Sequence, residues 1–333
     1  MRGLNDPSKV GEVKNFLNKN KVNLVALLET RVKQHNSSRI LKKFGTNCSW
    51  VDNYVCSPRG RIWIGWLHND ISLQVIDRVE YGIHCLVNSK NGKFTAQITV
   101  VYGLHTVEDR VPMWRYLEVL ANAMTGPCCV IGDFNAVLTS ADRSNGNPVT
   151  LRETKDFEQL LDNTDLVEVK SSGCFYSWRN KGEGERRIES RIDWCLGNSD
   201  WHTFYTDAWV EYMVPGLSDH SPLILRSEVD TRQGSRPFKF FNYMADHTDF
   251  DKVVNEGWDF SIQGCAMYRL WNKLKHVKTG LKKLHAKDFA KLESRIEQLR
   301  QDLDDTQLAL VDNNTDITLQ RKEKDLLGSL KKF

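Results

Sequence analysis

The first 225 or so residues of this 333-residue chain predict an α/β (α+β) sandwich, followed by a helical region. Two observations carry that reading. Up to about residue 225, amphipathic helical stretches alternate with short apolar runs rich in Val, Ile and aromatics, each bounded by turn residues. After Leu225 the texture changes: Arg226 to Pro237 is polar and turn-rich, and beyond it charged residues recur at helical spacing. The chain also exceeds the length at which one core usually stops growing, roughly 250–300 residues. With 40% hydrophobic residues, 10 Trp and 14 Phe, it can fill a large domain and an appendage. The expected division is 1–228 for the sandwich, 229–240 for a linker and 241–333 for the helical region.

Taken in order, Val10, Val13, Phe16 and Leu17 share one helical face and lead into the apolar run Leu24 to Leu28, a helix feeding a buried strand. Further strands are predicted at Arg61 to Leu67, Ser72 to Arg78, Ile83 to Asn88, Phe94 to Tyr102, Cys128 to Ile131 and Ile192 to Leu196. Arg110 to Met124 and Leu151 to Asp162 read as helices. In the tail, Phe289, Leu292, Ile296, Leu299 and Leu303 step by three and four, a short a/d seam of the coiled-coil kind. Asn313-Asn314 would turn the chain back into Ile317 to Leu330. A seam this short suits a helical hairpin, packed on itself or on another part of a longer protein, better than a dimer.

Charge and cysteine usage narrow the class. A formal net charge of +3 leaves the partner open, because phosphate binding depends on where basic residues cluster. Eight cysteines without CxxC pairs or zinc spacing suit reduced thiols of the nucleus or cytoplasm, not a secreted disulfide framework. The start lacks an apolar leader, and no run of about 18 apolar residues could span a bilayer.

Four stretches carry chemistry. In Ile131-Gly132-Asp133-Phe134-Asn135 an apolar strand ends in a carboxylate and an amide two residues apart, able to point the same way. Asp133 there could take a proton from an attacking water while Asn135 holds that water or a phosphate oxygen, although a Gly-Asp turn accounts for the string equally well. Leu27-Leu28-Glu29-Thr30 ends another buried run in one acidic residue, either a solvated edge or an oxygen ligand for Mg²⁺. Leu217-Ser218-Asp219-His220-Ser221-Pro222 offers an Asp-His pair; neighbours in a strand face opposite ways, so both serve one site only from a loop, which Pro222 supports. Asp193, within Ser190-Arg191-Ile192-Asp193-Trp194, sits in an apolar strand and needs a partner there. Orienting His220 would satisfy both groups.

Glu29, Tyr102 of Val101-Tyr102-Gly103, Asp133 and Asn135, Asp193, and Asp219-His220 occur in one order along the chain. That ordered set resembles the endonuclease/exonuclease/phosphatase family. The wording is similar to plant LINE (L1-like) non-LTR retrotransposon endonucleases: Arg2-Gly3-Leu4-Asn5 at the start, Phe175-Tyr176-Ser177-Trp178 before the acidic strand, and Arg236-Pro237-Phe238-Lys239-Phe240-Phe241 after the domain. The tail resembles the linker that leads such polyproteins toward a reverse transcriptase.

The resemblance implies a four-layer sandwich, two packed mixed β-sheets flanked by helices, with the site on one rim. It implies a DNA endonuclease that makes single-strand nicks with Mg²⁺ or Mn²⁺. Glu29 would bind the metal, Asp219 would help with metal binding or leaving-group stabilisation, Asp133 would activate or align the attacking water, and Asn135 would hold phosphate or water. His220, oriented by Asp193, would contact the scissile phosphate, with a further hydrogen bond from Tyr102. For DNA, Arg59, Arg61 and Arg187 offer charge and Trp178 a flat surface, with Lys42-Lys43, Trp63 and Trp66 as further candidates. The alternative for the basic and aromatic residues is a solvated face and a packed core. A DNA substrate would place the protein in the nucleus, and the tail would contact a reverse-transcriptase region or another protein. The family normally opens with a strand ending in a metal-site Asn just before a sequence like Met1-Arg2-Gly3-Leu4, and this chain starts after it. A catalytically inactive remnant, acting as a binding or interaction module, is therefore the competing reading; action on phosphoinositides, RNA tails or lipids is a third.

Overall fold

A computed structural model of the chain describes residues 3–216, 218–227, 242–259, 266–284 and 290–331. They form two compact units, one of 1–229 with 307–321, the other of 230–306 with 322–333. The linker expected at 229–240 lies outside the described residues.

The first unit is built around a six-stranded mixed sheet. It runs β4 (Ile71–Val79), β5 (Gly82–Ser89), β6 (Thr95–Tyr102), β7 (Cys128–Asp133), β13 (Asp193–Gly197) and β9 (Val167–Glu168). Only the β6 and β7 pair is parallel, and its crossover is α3 (Val107–Ala123). Against one face lie two three-stranded sheets. The first is β1 (Leu24–Leu28), β3 (Ile62–Leu67) and β2 (Cys48–Asp52); the second is β10 (Ser171–Gly173), β14 (Trp209–Tyr212) and β15 (Leu223–Arg226). The core between the layers interleaves Ile62 and Ile64 with Ile83, Val87 and Val100, and continues to Val210 and Tyr212. A small sheet of β8 (Arg143–Ser144), β12 (Glu189–Ser190) and β11 (Trp178–Arg179) completes the strands.

Helices cover both outer faces. On the six-stranded sheet, Met113, Trp114 and Leu117 of α3 and Phe157 and Leu160 of α4 (Leu151–Asn163) meet Val130, Trp194 and Leu196. On the other side, Val10 and Val13 of α1 (Pro7–Lys19) and Ile40 of α2 (Gln34–Leu41) pack with Leu27 and Trp63. This is the mixed four-layer α/β/β/α arrangement. A short helix, α5 (Ser199–Phe204), closes the end of β13.

Local chemistry fixes the helix starts. Asp6 accepts from the Ser8 amide with Pro7 behind it, Thr106 accepts from Asp109, and Thr150 with Glu153 forms a reciprocal box. The predicted strands from Arg61 to Leu196 match β3 to β7 and β13 within a residue or two at their ends.

In the second unit, α6 (Phe250–Trp258) crosses α7 (Ala266–Leu284) where two glycines leave room. A Cβ on Gly257 would come within 2.9 Å of Val277, and one on Gly280 within 2.8 Å of Val253. The two tail arms expected from the seam are α8 (Ala290–Asp312) and α9 (Ile317–Leu330), joined across 313–316. No helix among the described residues is long and apolar enough to cross a membrane.

Candidate active site

β7 and β13 run antiparallel and bring Asp133 directly opposite Asp193. Along both strands the alternating residues Cys129, Ile131 and Cys195 point into the core between the sheets, whereas Val130, Trp194 and Leu196 face the helices. By the same alternation the two carboxylates sit on the inter-sheet side, at the rim of the core. Close backbone approach sets β7 there. Gly132 has φ +149, and a Cβ on it would lie 2.1 Å from the Val101 carbonyl oxygen. A Cβ on Gly103 would meet the Phe134 carbonyl oxygen at the same distance. Phe134, fully buried, packs with Trp114 and Phe157 in a mutually stacked trio of rings and anchors the turn from behind.

His220 arrives from the opposite layer, on the connection between β14 and β15. Its Nδ1 lies 2.9 Å from Asp193 Oδ2 and its Nε2 3.9 Å from Asp133 Oδ2. Ligand atoms of Asp133, Asp193 and His220 all fall within 4.8 Å of one another, the one such His, Cys or carboxylate group among the described residues. The structure thus brings Asp193 and His220, both singled out from the sequence, within hydrogen-bond distance. Asp193 is itself held: its amide and that of Ile192 both donate to Ser177 Oγ, and the Tyr212 hydroxyl donates to its carbonyl oxygen. The Ser177 carbonyl accepts from the Ser221 amide, tying the His220 loop to the same post.

The electrostatics follow from this crowding. Burial, and then the adjacent Asp193 charge, raise Asp133 from an ordinary 3.8 to about 7. Burial pulls the other way on His220, but the charge and hydrogen bond of Asp193, with Asp133 and Asp219 behind them, raise it from 6.5 to about 9. Two buried carboxylates around one imidazole make a site short of positive charge.

The remaining expected residues fall into three groups. Asn135 sits beside Asp133 in the left-handed region at φ +50, but its Nδ2 donates to the Gly103 carbonyl at 2.7 Å and to Asp133 Oδ2 at 3.3 Å. Its side-chain N–H groups thus brace the turn that carries Asp133. Tyr102, buried, lies opposite Asp133 in the parallel register, and Arg61 stacks 5.1 Å above its ring. The Arg61 carbonyl accepts from the Glu29 amide at 2.7 Å, and Glu29 is ion-paired with Arg31 at 3.3 Å. Glu29 also adopts a left-handed backbone, φ +50, at the end of β1. Glu29 and Asp219 stand outside the 4.8 Å group; Asp219 is half-buried, its carbonyl accepting from the Arg179 amide.

Among the DNA candidates, Arg59 and Arg61 line an open cleft of ≈ 460 Å³ with Glu80, His105 and Thr106, the last three not foreseen. Trp178 is half-buried and bridges His220 across a short antiparallel contact. Two expectations fail. Arg187 is 2% exposed and pairs with Glu189 at 3.3 Å, so it is an interior charge, not a surface contact. Trp63 is fully buried against Tyr54 and Trp50. Sequence reasoning gave Ser177 no role, although it lies in the motif Phe175-Tyr176-Ser177-Trp178.

Residues 1–220 match the sequence pattern of the endonuclease/exonuclease/phosphatase family. The chain belongs to that family. Among solved family folds it is similar to the endonuclease domain of TRAS1, a telomere-specific non-LTR retrotransposon. Identity is 11%, the TM-score 0.50, and the match covers 68% of this chain and 94% of that one. A 3′ phosphatase, NExo from Neisseria, bound to a product DNA hairpin, matches at 18% identity and TM-score 0.47 over 67% and 95%. A mannosyl-6-phosphatase from Bacteroides thetaiotaomicron matches at 11% and 0.44 over 66% and 90%. No curated protein sequence matches the chain.

Proposed function

We propose that this chain is a divalent-metal-dependent phosphodiesterase that nicks one strand of DNA, of the kind a LINE-type retrotransposon encodes. The observation that carries the reading is the convergence of Asp133, Asp193 and His220 within 4.8 Å, with His220 bonded to Asp193 at 2.9 Å. Members of this family hydrolyse phosphate esters, and a retrotransposon endonuclease domain has the same fold.

The donor set fits a hard cation. Mg²⁺ binds through one or two carboxylates and keeps waters for the substrate, and burial, with the adjacent Asp193 charge second, raises the proton affinity of Asp133, which a cation at this rim would offset. Glu29 and Asp219 are the residues assigned to hold the ion. When bound, it would neutralise charge on the phosphate oxygens. His220, cationic at neutral pH, offers Nε2–H to a phosphate oxygen and stabilises charge as the phosphorus becomes five-coordinate. Asp193 keeps the imidazole in that orientation from behind. Asp133, once ionised, removes the proton from the attacking water, and Asn135 fixes its carboxylate. Arg59 and Arg61 are the DNA-phosphate contacts, and Trp178 a surface beside His220. A DNA substrate in turn favours nuclear residence.

Supercoiled plasmid tests the reading. The full chain with Mg²⁺ should convert it to open circle, chelator should stop the conversion, and Asp133→Asn and His220→Ala should each remove it. Conversion that survives chelator, or undiminished nicking by either variant, would reject the assignment.

A further inference from the structure

We infer that residues 307–321, where α8 gives way to α9, are a positioning clamp for the His220 loop, with Gln307 as the contact on that loop and Asn314 and Gln320 as tethers on the neighbouring β11–β12 segment. The inference rests on the phosphodiesterase reading for its catalytic consequence, though not for the contact itself. Gln307 is fully buried, and its side-chain amide makes a reciprocal pair with one residue. Gly216 N–H donates to Gln307 Oε1 at 2.9 Å, and Gln307 Nε2 donates to the Gly216 carbonyl at 3.2 Å. Gly216 turns the chain in the left-handed region, φ +57, a conformation that few other residues adopt cheaply. From there the bonds lead straight to the site. The Ser218 amide donates to the Pro215 carbonyl, and Ser218 Oγ accepts from the His220 amide at 3.1 Å.

A second contact, from Asn314, falls on the small sheet beside that loop. Asn314 Nδ2 donates to Glu189 Oε2 at 3.0 Å and to Ser144 Oγ at 3.3 Å. Glu189 is buried between Arg179 and Arg187, at 3.5 and 3.3 Å. The Arg179 amide then donates to the Asp219 carbonyl, next to His220. Glu189 also lies in β12, whose next residues run through Arg191 and Ile192 to Asp193. A third tether, the Gly184 amide on Gln320 Oε1 at 2.7 Å, holds the loop between β11 and β12. Buried ion pairs and amide networks contribute more to fixing one geometry than to net stability. The His220 loop therefore has a direct polar contact from a segment far along the sequence, and the strand that leads to Asp193 has one through Glu189. The family match ends at residue 220, so these residues lie beyond it.

Hydrogen exchange and single-turnover nicking on the full chain, for wild type, Gln307→Ala and Gln307→Glu, test the clamp. In Gln307→Ala, exchange at the Gly216 and His220 amides should rise by at least about tenfold while β7 amides stay protected. The nicking rate at saturating DNA should fall by about tenfold or more, as for a misplaced catalytic group, with the half-saturating DNA concentration unchanged. Gln307→Glu keeps an acceptor for the Gly216 amide and should recover part of both. Unchanged exchange at Gly216 and His220 overturns the clamp. Faster exchange with an unchanged nicking rate overturns its positioning role. Wild-type protein that does not nick overturns the phosphodiesterase reading and leaves exchange to decide the contact.

Discussion

Replacing Asp193 by Asn removes the charge that holds His220 protonated, and the structure sets the size of the effect. In the folded protein His220 titrates at about 9, against 6.5 unfolded. Because the folded value is the higher, its contribution to stability is fully present below pH 6.5 and is lost as pH rises through 9. Asp133 complicates the lower part of that range, since its own proton leaves near pH 7 and also responds to Asp193. Above pH 7.5 that step is largely complete, and the remaining span to about 9 is worth about 2 kcal/mol. Urea unfolding of the site-bearing unit at pH 7.5 and 9.5 should therefore show the wild type losing about 2 kcal/mol more than Asp193→Asn. Titrations shared by both proteins cancel in the comparison. Ring-proton NMR titration of the metal-free proteins supplies the direct reading: His220 near 9 in the wild type, and clearly lower in the variant, where only Asp133 and Asp219 oppose burial. A His220 that titrates in the same place in both, or equal pH dependence of stability, would refute the charge coupling and with it the role given to Asp193.

Four further outcomes follow from the same geometry. Ser177→Ala strips two buried amides of their acceptor and should cost about 2–4 kcal/mol in urea unfolding, with nicking reduced; a change under ~0.5 kcal/mol, the range of inert surface substitutions, would contradict it. Gly132→Ala forces β7 away from the Val101 carbonyl, so a loss of about 1–3 kcal/mol or more and loss of nicking are expected; wild-type activity in that variant would mean the strand approach is unimportant. Glu29→Gln should raise the Mg²⁺ concentration for half-maximal nicking by about tenfold or more, as expected for weakened metal support, and an unshifted Mg²⁺ titration removes Glu29 from the metal. For Arg61→Ala, the plot of log DNA affinity against log salt should flatten by about 1, the signature of one lost phosphate contact.

Much of the site was legible because strand-end carboxylates interrupt apolar runs: Asp133 after Val130-Ile131-Gly132, and Asp193 before Trp194-Cys195-Leu196. A buried acid needs a partner, which left Asp193 an Arg or a His to pair with, and His220 was the candidate whose own need matched. Strands β3 to β6 were legible for a similar reason, their β-branched and aromatic residues standing between clear turn residues. Elements with mixed composition were missed. The helix α2 carries Gln34-His35-Asn36 in its first turn, and β2 and β14 are short runs broken by Ser49 and Glu211. Arg187 was misread because an arginine beside Arg186 looks solvated, whereas Glu189, two residues on, neutralises it indoors. Ser177 stood in the motif Phe175-Tyr176-Ser177-Trp178 without a role, and Gln307 gave no signal: a serine post and a buried amide matter through the backbone groups they meet, and those come from distant segments.

The pairing of Asp133 with Asp193 leaves β7 no freedom of length. Because side chains alternate along a strand, loss of one residue between Cys128 and Gly132 would carry Asp133 into the place of Gly132, where a Cβ lies 2.1 Å from the Val101 carbonyl oxygen, and would turn its carboxylate toward the helix layer of Trp114 and Phe157. A deletion there therefore costs the packing of the strand and the facing of the two acids together.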